Sequence, residues 1–117
     1  YPLEILGDGK DTRSFTHIDD VTDAICLLIK KRNEVKNEDF NIGSNREISI
    51  LQLAELLWKL SGRKEKFKVK YKPSFSHPTA KRRSVNPLKI KNLGWQEKVR
   101  LENGLFGLID YLKGKND

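Results

Sequence analysis

The chain has 117 residues, of which 37% are hydrophobic and 33% charged, and its formal net charge is +7. This length fits one domain with a single core, and no run approaches the ~20 apolar residues that a membrane-spanning helix requires. The single cysteine, Cys26, excludes a disulfide framework and is typical of a reduced, cytoplasmic protein. We therefore expect one polar domain without a membrane partner, in which Cys26 is a small buried hydrophobe.

The positive charge is concentrated in one part of the chain. Between Lys59 and Lys91 there are twelve lysines and arginines but only one acid, Glu65. Such a stretch raises the local concentration of anions, whether the anion is a nucleic acid, a membrane or a nucleotide diphosphate. A solvated lysine-rich face is the alternative interpretation, because lysine usually stays exposed.

The first half of the chain predicts two strands, one helix and a third, buried strand. Residues 3–6 form a short strand that closes on a Gly-Asp-Gly turn, and residues 13–18 are a second extended stretch. A helix follows, with Asp19 or Asp20 as its N-cap. Its apolar stripe consists of Val21, Ala24, Ile25, Leu28 and Ile29. Residues 40–43 are a short apolar segment that ends in glycine and predicts a buried strand.

The second half predicts three helices and one strand. Ser49 and Gln52 form a capping-box pattern before a helix that Gly62 ends. Residues 66–72 alternate apolar residues with lysines, which predicts a half-exposed strand. A loop at 73–79, a short helix that begins at Asn86 and Pro87, and a last amphipathic helix complete the order. The fold class is therefore mixed α/β, with a small sheet and about four helices.

The sequence lacks the usual signatures of catalysis but contains residues suited to anion binding. It has no metal-ligand spacing, no nucleophile triad, no phosphate-binding loop and no G-x-G-x-x-G, so we predict no catalytic, cofactor or metal residues in the chain. Arg13 follows a glycine turn, and its guanidinium can hold a phosphate bidentately. Arg82 and Arg83 suit the same role, and Asn41 ends a predicted strand. The alternatives are a surface ion pair for each arginine and a turn for Asn41.

Eight segments, in order along nearly the whole chain, resemble the extended short-chain dehydrogenase/reductase family, whose members are NAD-dependent nucleotide-sugar epimerases, dehydratases and decarboxylases. The segments are Gly7-Asp8-Gly9, Arg13-Ser14-Phe15, Ile18-Asp19-Asp20, Asn41-Ile42-Gly43, Ser49 to Ala54, Arg82-Arg83, Leu93-Gly94-Trp95 and Leu101 to Leu105. Each segment alone is a weak signal, and their common order makes the resemblance specific.

The resemblance implies a substrate-binding role. In such enzymes the arginine that matches Arg13 and one arginine of the pair matching Arg82 and Arg83 contact a nucleoside diphosphate sugar, and the residue matching Asn41 lies nearby. NAD would be bound by an N-terminal Rossmann domain that, like the Tyr-x-x-x-Lys catalytic pair, is absent from this sequence. We thus expect residues 1–117 to be one C-terminal substrate-binding region of a homodimeric enzyme, inactive by itself.

The chain departs from the family pattern at two places. It has Asn86 where an aspartate is usual, which should be benign because both residues cap helices. It has Ser76 and His77 where acidic residues are frequent, which affects the expected local ligand contacts. Two other functions stay open: a nucleic-acid-binding module, in which Phe67, Tyr71 and Phe75 among the lysines stack on bases, and a non-catalytic nucleotide-sugar sensor.

Overall fold

A computed structural model describes residues 2–74 and 79–115 of the chain. The strands are β1 (Leu3–Leu6), β2 (Thr12–Ser14), β3 (Glu47–Ser49), β4 (Val69–Lys72) and β5 (Arg82–Arg83), and the helices are α1 (Ile18–Lys30), α2 (Ile50–Leu60), α3 (Leu88–Asn92) and α4 (Leu101–Lys113).

The strands form two small sheets. In the first, β1 and β4 are parallel, with Leu3 opposite Val69 and Leu6 opposite Lys72. The second has the order β3-β2-β5, in which β2 is antiparallel to β3 and parallel to β5. The predicted mixed α/β class, with small sheets and four helices, is confirmed.

The core is small for a chain of this length. Ala24, Ile90 and Trp95 form its buried cluster, and Leu27, Leu28, Phe40 and Ile42 pack against it. The radius of gyration is 17.5 Å, whereas a compact domain of this size has about 13 Å. The chain is therefore elongated and leaves much apolar surface uncovered.

Helix α1 begins earlier than predicted. Its N-cap is His17, whose Nδ1 accepts a hydrogen bond from the backbone N–H of Asp19 at 3.2 Å. The prediction of Asp19 or Asp20 as the cap was wrong, because both residues lie inside the first turn. Their carboxylates still face the positive end of the helix dipole.

The buried face of α1 also differs from the prediction. Ala24 is fully buried, but Ile25 and Ile29 are 49% and 60% exposed, and Cys26 is exposed as well. The expectation of a buried Cys26 was wrong. The physical reason is that α1 contacts the core through Ala24, Leu27 and Leu28. The side chains of Ile25, Ile29 and Cys26 therefore lie outside this contact and stay exposed.

Asp20 joins the start of α1 to the segment that leads into α4. Its carboxylate is 1% exposed and accepts hydrogen bonds from the backbone N–H groups of Lys98 (2.9 Å) and Val99 (3.0 Å). Its backbone carbonyl accepts a hydrogen bond from the indole N–H of Trp95 at 2.9 Å. Segments nearly eighty residues apart are thereby held together at one buried carboxylate.

The predicted capping box of α2 is confirmed. The Ser49 hydroxyl accepts a hydrogen bond from the Gln52 N–H, and the Gln52 side chain accepts one from the Ser49 N–H. Gly62, at φ +72°, follows the C-cap residue, as predicted.

Helix α3 begins one residue after the predicted start. Pro87 takes the N-cap position, and the Asn86 side chain accepts a hydrogen bond from the Leu88 N–H at 3.0 Å.

Three other predicted apolar segments differ from expectation. Residues 40–43 form no strand with any described part of the chain, although Phe40 and Ile42 do contact the core. The strand predicted at 66–72 is limited to β4, in which Tyr71 is 52% exposed. In α4, Leu108 and Leu112 are each 50% exposed, so the predicted apolar face of this helix is only partly covered.

Candidate functional site

The glycine turn brings Arg13 to the middle strand of the three-stranded sheet. Gly7 and Gly9 have φ of +77° and +73°, which a side chain disfavours, and the Lys10 N–H donates to the Asp8 carboxylate within the turn. The turn joins two strands, β1 and β2, whereas a dinucleotide-binding turn opens a helix. These residues therefore do not fit NAD, and their effect is to set the position of β2.

The register of the sheet places Arg13 and Arg83 side by side. Arg13 on β2 lies opposite Ile48 on β3 and opposite Arg83 on β5. Successive side chains of a strand point to opposite faces of the sheet, and residues paired across two strands point to the same face. The side chains of Arg13, Ile48 and Arg83 therefore lie on one face. We call the surface formed by Arg13 and Arg83 the paired-arginine face.

The guanidinium of Arg13 is only partly engaged. Its Nη1 donates to the backbone carbonyl of Thr12 at 2.7 Å, and its Nη2 lies 3.7 Å from the carboxylate of Asp11, beyond hydrogen-bond distance. Arg83 is exposed, and its guanidinium makes no hydrogen bond or ion pair with the residues of the described ranges 2–74 and 79–115. Two neighbouring guanidiniums thus keep donors available for an anion.

The opposite face of the same sheet holds a closed network around Glu47. The Arg82 Nε lies 2.9 Å from both carboxylate oxygens of Glu47, and its Nη2 donates to the same group. The Thr12 hydroxyl donates to Glu47 at 2.9 Å. The hydrogen bonds from Arg82, with those from Thr12 and Ser84, lower the pKa of Glu47 from 4.5 to about 2. Arg82 is therefore occupied by Glu47, on the face away from Arg13.

Asn41 is exposed, between Phe40 and Ile42, which contact the core, and the chain after it leads to the ends of β2 and β5. Two residues later, a Cβ on Gly43 would lie 2.4 Å from the Val85 side chain, so this close approach requires glycine. The N–H of Ser44 donates to the Thr16 hydroxyl at 2.8 Å. The structure gives no contact between Asn41 and the arginines within its described residues, and the role of Asn41 stays a prediction.

A cavity of about 280 Å³ lies just beyond the end of β2. Its walls include Phe15, Ser44 and Arg46, and Arg46 is held by Glu102, with Nη1 to Oε2 at 3.0 Å and Nη2 to Oε1 at 2.8 Å. The hydrogen bond from Arg46 lowers the pKa of Glu102 to about 2. Because Arg46 already has a carboxylate partner, this cavity is a weaker candidate for an anion than the paired-arginine face.

Sequence reasoning missed Glu47 and Glu102, the acids that engage neighbouring arginines. Glu47 belongs to no motif, and Glu102 lies in one of the eight segments but had no role assigned to it. Each meets its arginine through a long-range contact, Glu47 with Arg82 and Glu102 with Arg46. The one available signal for Glu47 was its position two residues before the cap of α2, on a short strand. That position predicts a side chain facing a neighbouring strand but does not identify the neighbour.

The lysine-rich segment offers less to nucleic acid than its sequence suggested. The Phe67 ring packs edge-on against Trp58 with a centroid distance of 5.8 Å, so it is not free to stack on a base. Tyr71 is exposed. Phe75 lies outside the described residues, as do Ser76 and His77.

In the described ranges no helix is long and apolar enough to cross a membrane, and no cluster of His, Cys, Asp and Glu has the form of a metal site.

Comparison with known families identifies the chain. Residues 2–106 match the family model described as GDP-mannose 4,6 dehydratase. The chain belongs to this family. Its relatives and structural neighbours are nucleotide-sugar enzymes of the extended short-chain dehydrogenase/reductase type, which confirms the resemblance drawn from the eight segments.

Curated relatives and solved structures agree on this assignment. The chain is 35% identical over 111 residues to GDP-L-fucose synthase 1 of Arabidopsis thaliana, an alignment that covers 93% of this chain and 32% of the relative. It is similar to UDP-glucose 4-epimerase of Thermotoga maritima with UDP-glucose (TM-score 0.82, 31% identity, 99% of this chain, 36% of that chain). It is equally similar to UDP-glucuronic acid 4-epimerase of Bacillus cereus in complex with UDP-glucuronic acid and NAD (TM-score 0.84, 30% identity, 97% and 36%).

The chain spans about a third of the length of these relatives and structures. NAD and nucleotide sugars are bound in complexes of the structural neighbours. The relatives differ in activity, since they include a fucose synthase, a dehydratase-epimerase-reductase and a decarboxylase. The coarse class, enzymes that act on nucleotide sugars, is therefore common to them, whereas the individual reaction is not.

Proposed function

We propose that the chain is the nucleotide-sugar-binding part of an NAD-dependent epimerase, dehydratase or decarboxylase, and that Arg13 and Arg83 bind the diphosphate. The observation that carries the proposal is the register of β2 and β5, which puts these two arginines on one face. Membership of the family supports it, because several neighbours are solved with nucleotide sugars.

The chemistry of the paired-arginine face fits a pyrophosphate. Two guanidiniums can share a doubly charged group, and each charge-assisted contact contributes on the order of 1.5–3 kcal/mol. Arg83 is the member of the pair assigned to the ligand, because Arg82 lies on the opposite face and is bound by Glu47. Asn41 is assigned to the same ligand on the family resemblance.

The reaction itself requires groups that we do not assign to this chain. When bound, NAD supplies the hydride-transfer chemistry, and a tyrosine assisted by a lysine would move the proton. The contribution of this chain is to bind and orient the nucleotide part of the substrate. We therefore propose that residues 1–117 act as one substrate-binding region and show no turnover alone, and that the intact enzyme is a cytoplasmic homodimer.

The test is an NMR titration of the chain with UDP, GDP, dTDP and CDP. Since the family's cofactor domain would supply the other wall of the cleft, we expect weak binding, with a Kd of roughly 1 mM (about −4 kcal/mol). The Arg13→Ala variant should bind at least about tenfold more weakly, the loss of one charge-assisted contact.

A matched pair of lysine variants identifies the second arginine. Lysine keeps the charge but loses the planar fork of donors. Arg83→Lys should weaken binding about threefold or more, on the order of one lost neutral hydrogen bond, whereas Arg82→Lys can keep its ion pair with Glu47 and should stay within about twofold. Unchanged affinity in Arg13→Ala, or shifts confined to residues 66–72, would refute the assignment. Steep salt dependence with DNA would instead favour the nucleic-acid module.

A further inference from the structure

Strand β5 has a structural ambiguity that the rest of the sheet lacks. It consists of two residues, Arg82 and Arg83, both arginines. A shift of a strand by one residue moves every side chain to the other face of the sheet. If β5 shifted by one residue, an arginine would still lie beside Arg13, but that arginine would be Arg82 and not Arg83.

Few backbone contacts determine the register of such a short strand. The Thr12 N–H donates to the carbonyl of Lys81 at 2.8 Å, and the ladder between β2 and β5 is only two residue pairs long. Short strands without a pinned face are prone to slippage. A side-chain contact is therefore needed to distinguish Arg82 from Arg83.

Glu47 makes that contact. Its carboxylate accepts hydrogen bonds from Nε and Nη2 of Arg82 and from the Thr12 hydroxyl, so it joins β3, β2 and β5 on the face opposite Arg13. Ser84 also contributes to lowering the pKa of this carboxyl group. Both hydrogen bonds of Arg82 come from its guanidinium, and its charge attraction to Glu47 keeps this side chain on the same face.

We propose that Glu47 is a positioning residue: by holding Arg82 on one face, it fixes β5 in the register that presents Arg83 beside Arg13 to the diphosphate. This inference rests on the function proposed above. Glu47 itself touches no ligand. It acts through the strand, and its own negative charge opposes the binding of an anion.

Glu47 could affect anion binding through its charge or through the register of β5, and these two roles predict opposite effects of its substitution. If Glu47 acted only through its charge, removing that charge would strengthen anion binding, and Glu47→Ala and Glu47→Gln would behave alike. If it fixes the register, Glu47→Ala should weaken UDP or GDP binding about three- to tenfold. Glu47→Gln should weaken it less, because an amide oxygen still accepts hydrogen bonds from Arg82 and Thr12.

Glu4→Ala is the matched control. Glu4 is also an acid paired with a basic residue of a neighbouring strand, Lys72, but it is more exposed than Glu47 and lies in the two-stranded sheet. Its removal should leave the affinity within about twofold of the unmodified chain. The comparison separates a general effect of losing an acid from an effect on β5.

The register itself is read from interstrand nuclear Overhauser effects between β2 and β5, with no ligand present. The unmodified chain should show Arg13 paired with Arg83, Glu47→Gln should show the same contacts at reduced intensity, and Glu47→Ala should show still weaker or shifted contacts. If Glu47→Ala does not fold, reduced affinity in Glu47→Gln relative to Glu4→Ala still supports the proposal, and equal or greater affinity overturns it.

Failure of this inference differs from failure of the proposed function. If Arg13→Ala and Arg83→Lys bind nucleotide as well as the unmodified chain, the diphosphate assignment is wrong, whatever Glu47 does. If those variants lose affinity but Glu47→Ala binds as tightly as before, or more tightly, with its register intact, only the role of Glu47 is overturned.

Discussion

Two carboxylates, Asp20 and Glu47, each join segments that are distant in the sequence, but they do so in opposite surroundings. Asp20 is 1% exposed and accepts hydrogen bonds from two backbone N–H groups that precede α4. The side chain of Glu47 is 24% exposed, and that of its partner Arg82 is 72% exposed. One carboxylate lies beside the core and the other at the edge of an open sheet.

The difference shows how the same group serves stability in one place and orientation in another. A buried carboxylate bound by backbone donors cannot be removed without leaving those donors unsatisfied. An exposed ion pair contributes little to the free energy of unfolding, because water replaces it at small cost. We therefore expect Asp20 to matter for folding and Glu47 for the direction in which neighbouring side chains point.

The largest expected effect is that of Asp20→Ala. This variant leaves the N–H groups of Lys98 and Val99 without an acceptor and should lower the free energy of unfolding by about 3 kcal/mol. Urea denaturation followed by circular dichroism measures the loss. Asp19→Ala is the control, since the neighbouring Asp19 side chain is largely exposed and its loss should cost under about 1 kcal/mol. Equal losses in the two variants would contradict the distinction.

A smaller effect is expected at the cap of α2, immediately after β3. Ser49→Ala removes the acceptor for the Gln52 N–H and should lower the free energy of unfolding by about 1 kcal/mol. Glu47→Gln, two residues earlier, should lower it by less, because the pair with Arg82 is exposed. The same urea experiment ranks the two. A larger loss in Glu47→Gln would mean that the exposed network stabilises this region after all.

The smallest expected effect is the pH dependence that Glu47 confers. Its pKa in the folded chain is lowered from 4.5 to about 2 by the hydrogen bonds from Arg82 and Thr12. A lowered pKa contributes stability that is present above pH 4.5 and is lost as the pH falls through 2. The difference in stability between the unmodified chain and Glu47→Gln should therefore shrink between pH 4.5 and 2. A difference that stays constant over this range would contradict the assigned pKa.

The parts of the fold that follow from local sequence were predictable. The capping box at Ser49 and Gln52, the end of α2 at Gly62 and strand β1 were all confirmed. Each depends on residues only a few positions apart, so a single stretch of sequence contains the whole signal. The family resemblance could also be detected from local sequence, because it rests on eight short segments that occur in a fixed order.

The parts that depend on distant partners were not predictable. The apolar stripe of α1 did not identify which side meets the core, so Ile25 and Cys26 were expected inside and lie outside. Residues 40–43 predicted a strand, but a strand forms only against a neighbour, and no described strand pairs with them. Asp20 was interpreted as a helix cap because its partners lie nearly eighty residues away.

The site shows the same division between local and distant information. Arg13 was found from the turn that precedes it, and the motif resemblance brought it together with the Arg82 and Arg83 pair. The choice within that pair depends on the register of β2 and β5 and on Glu47, which no local pattern contains. Sequence reasoning thus located the basic pair but left the two arginines as alternatives.

The most direct test of the paired-arginine face is to follow the guanidinium Nε–H signals of the arginines by NMR during addition of UDP or GDP. A hydrogen bond to phosphate shifts these signals without any substitution in the protein. We expect saturable shifts for Arg13 and Arg83 with one common Kd, and an unchanged signal for Arg82, which stays bound to Glu47. Saturable shifts of Arg82 together with silent Arg13 and Arg83 would contradict it.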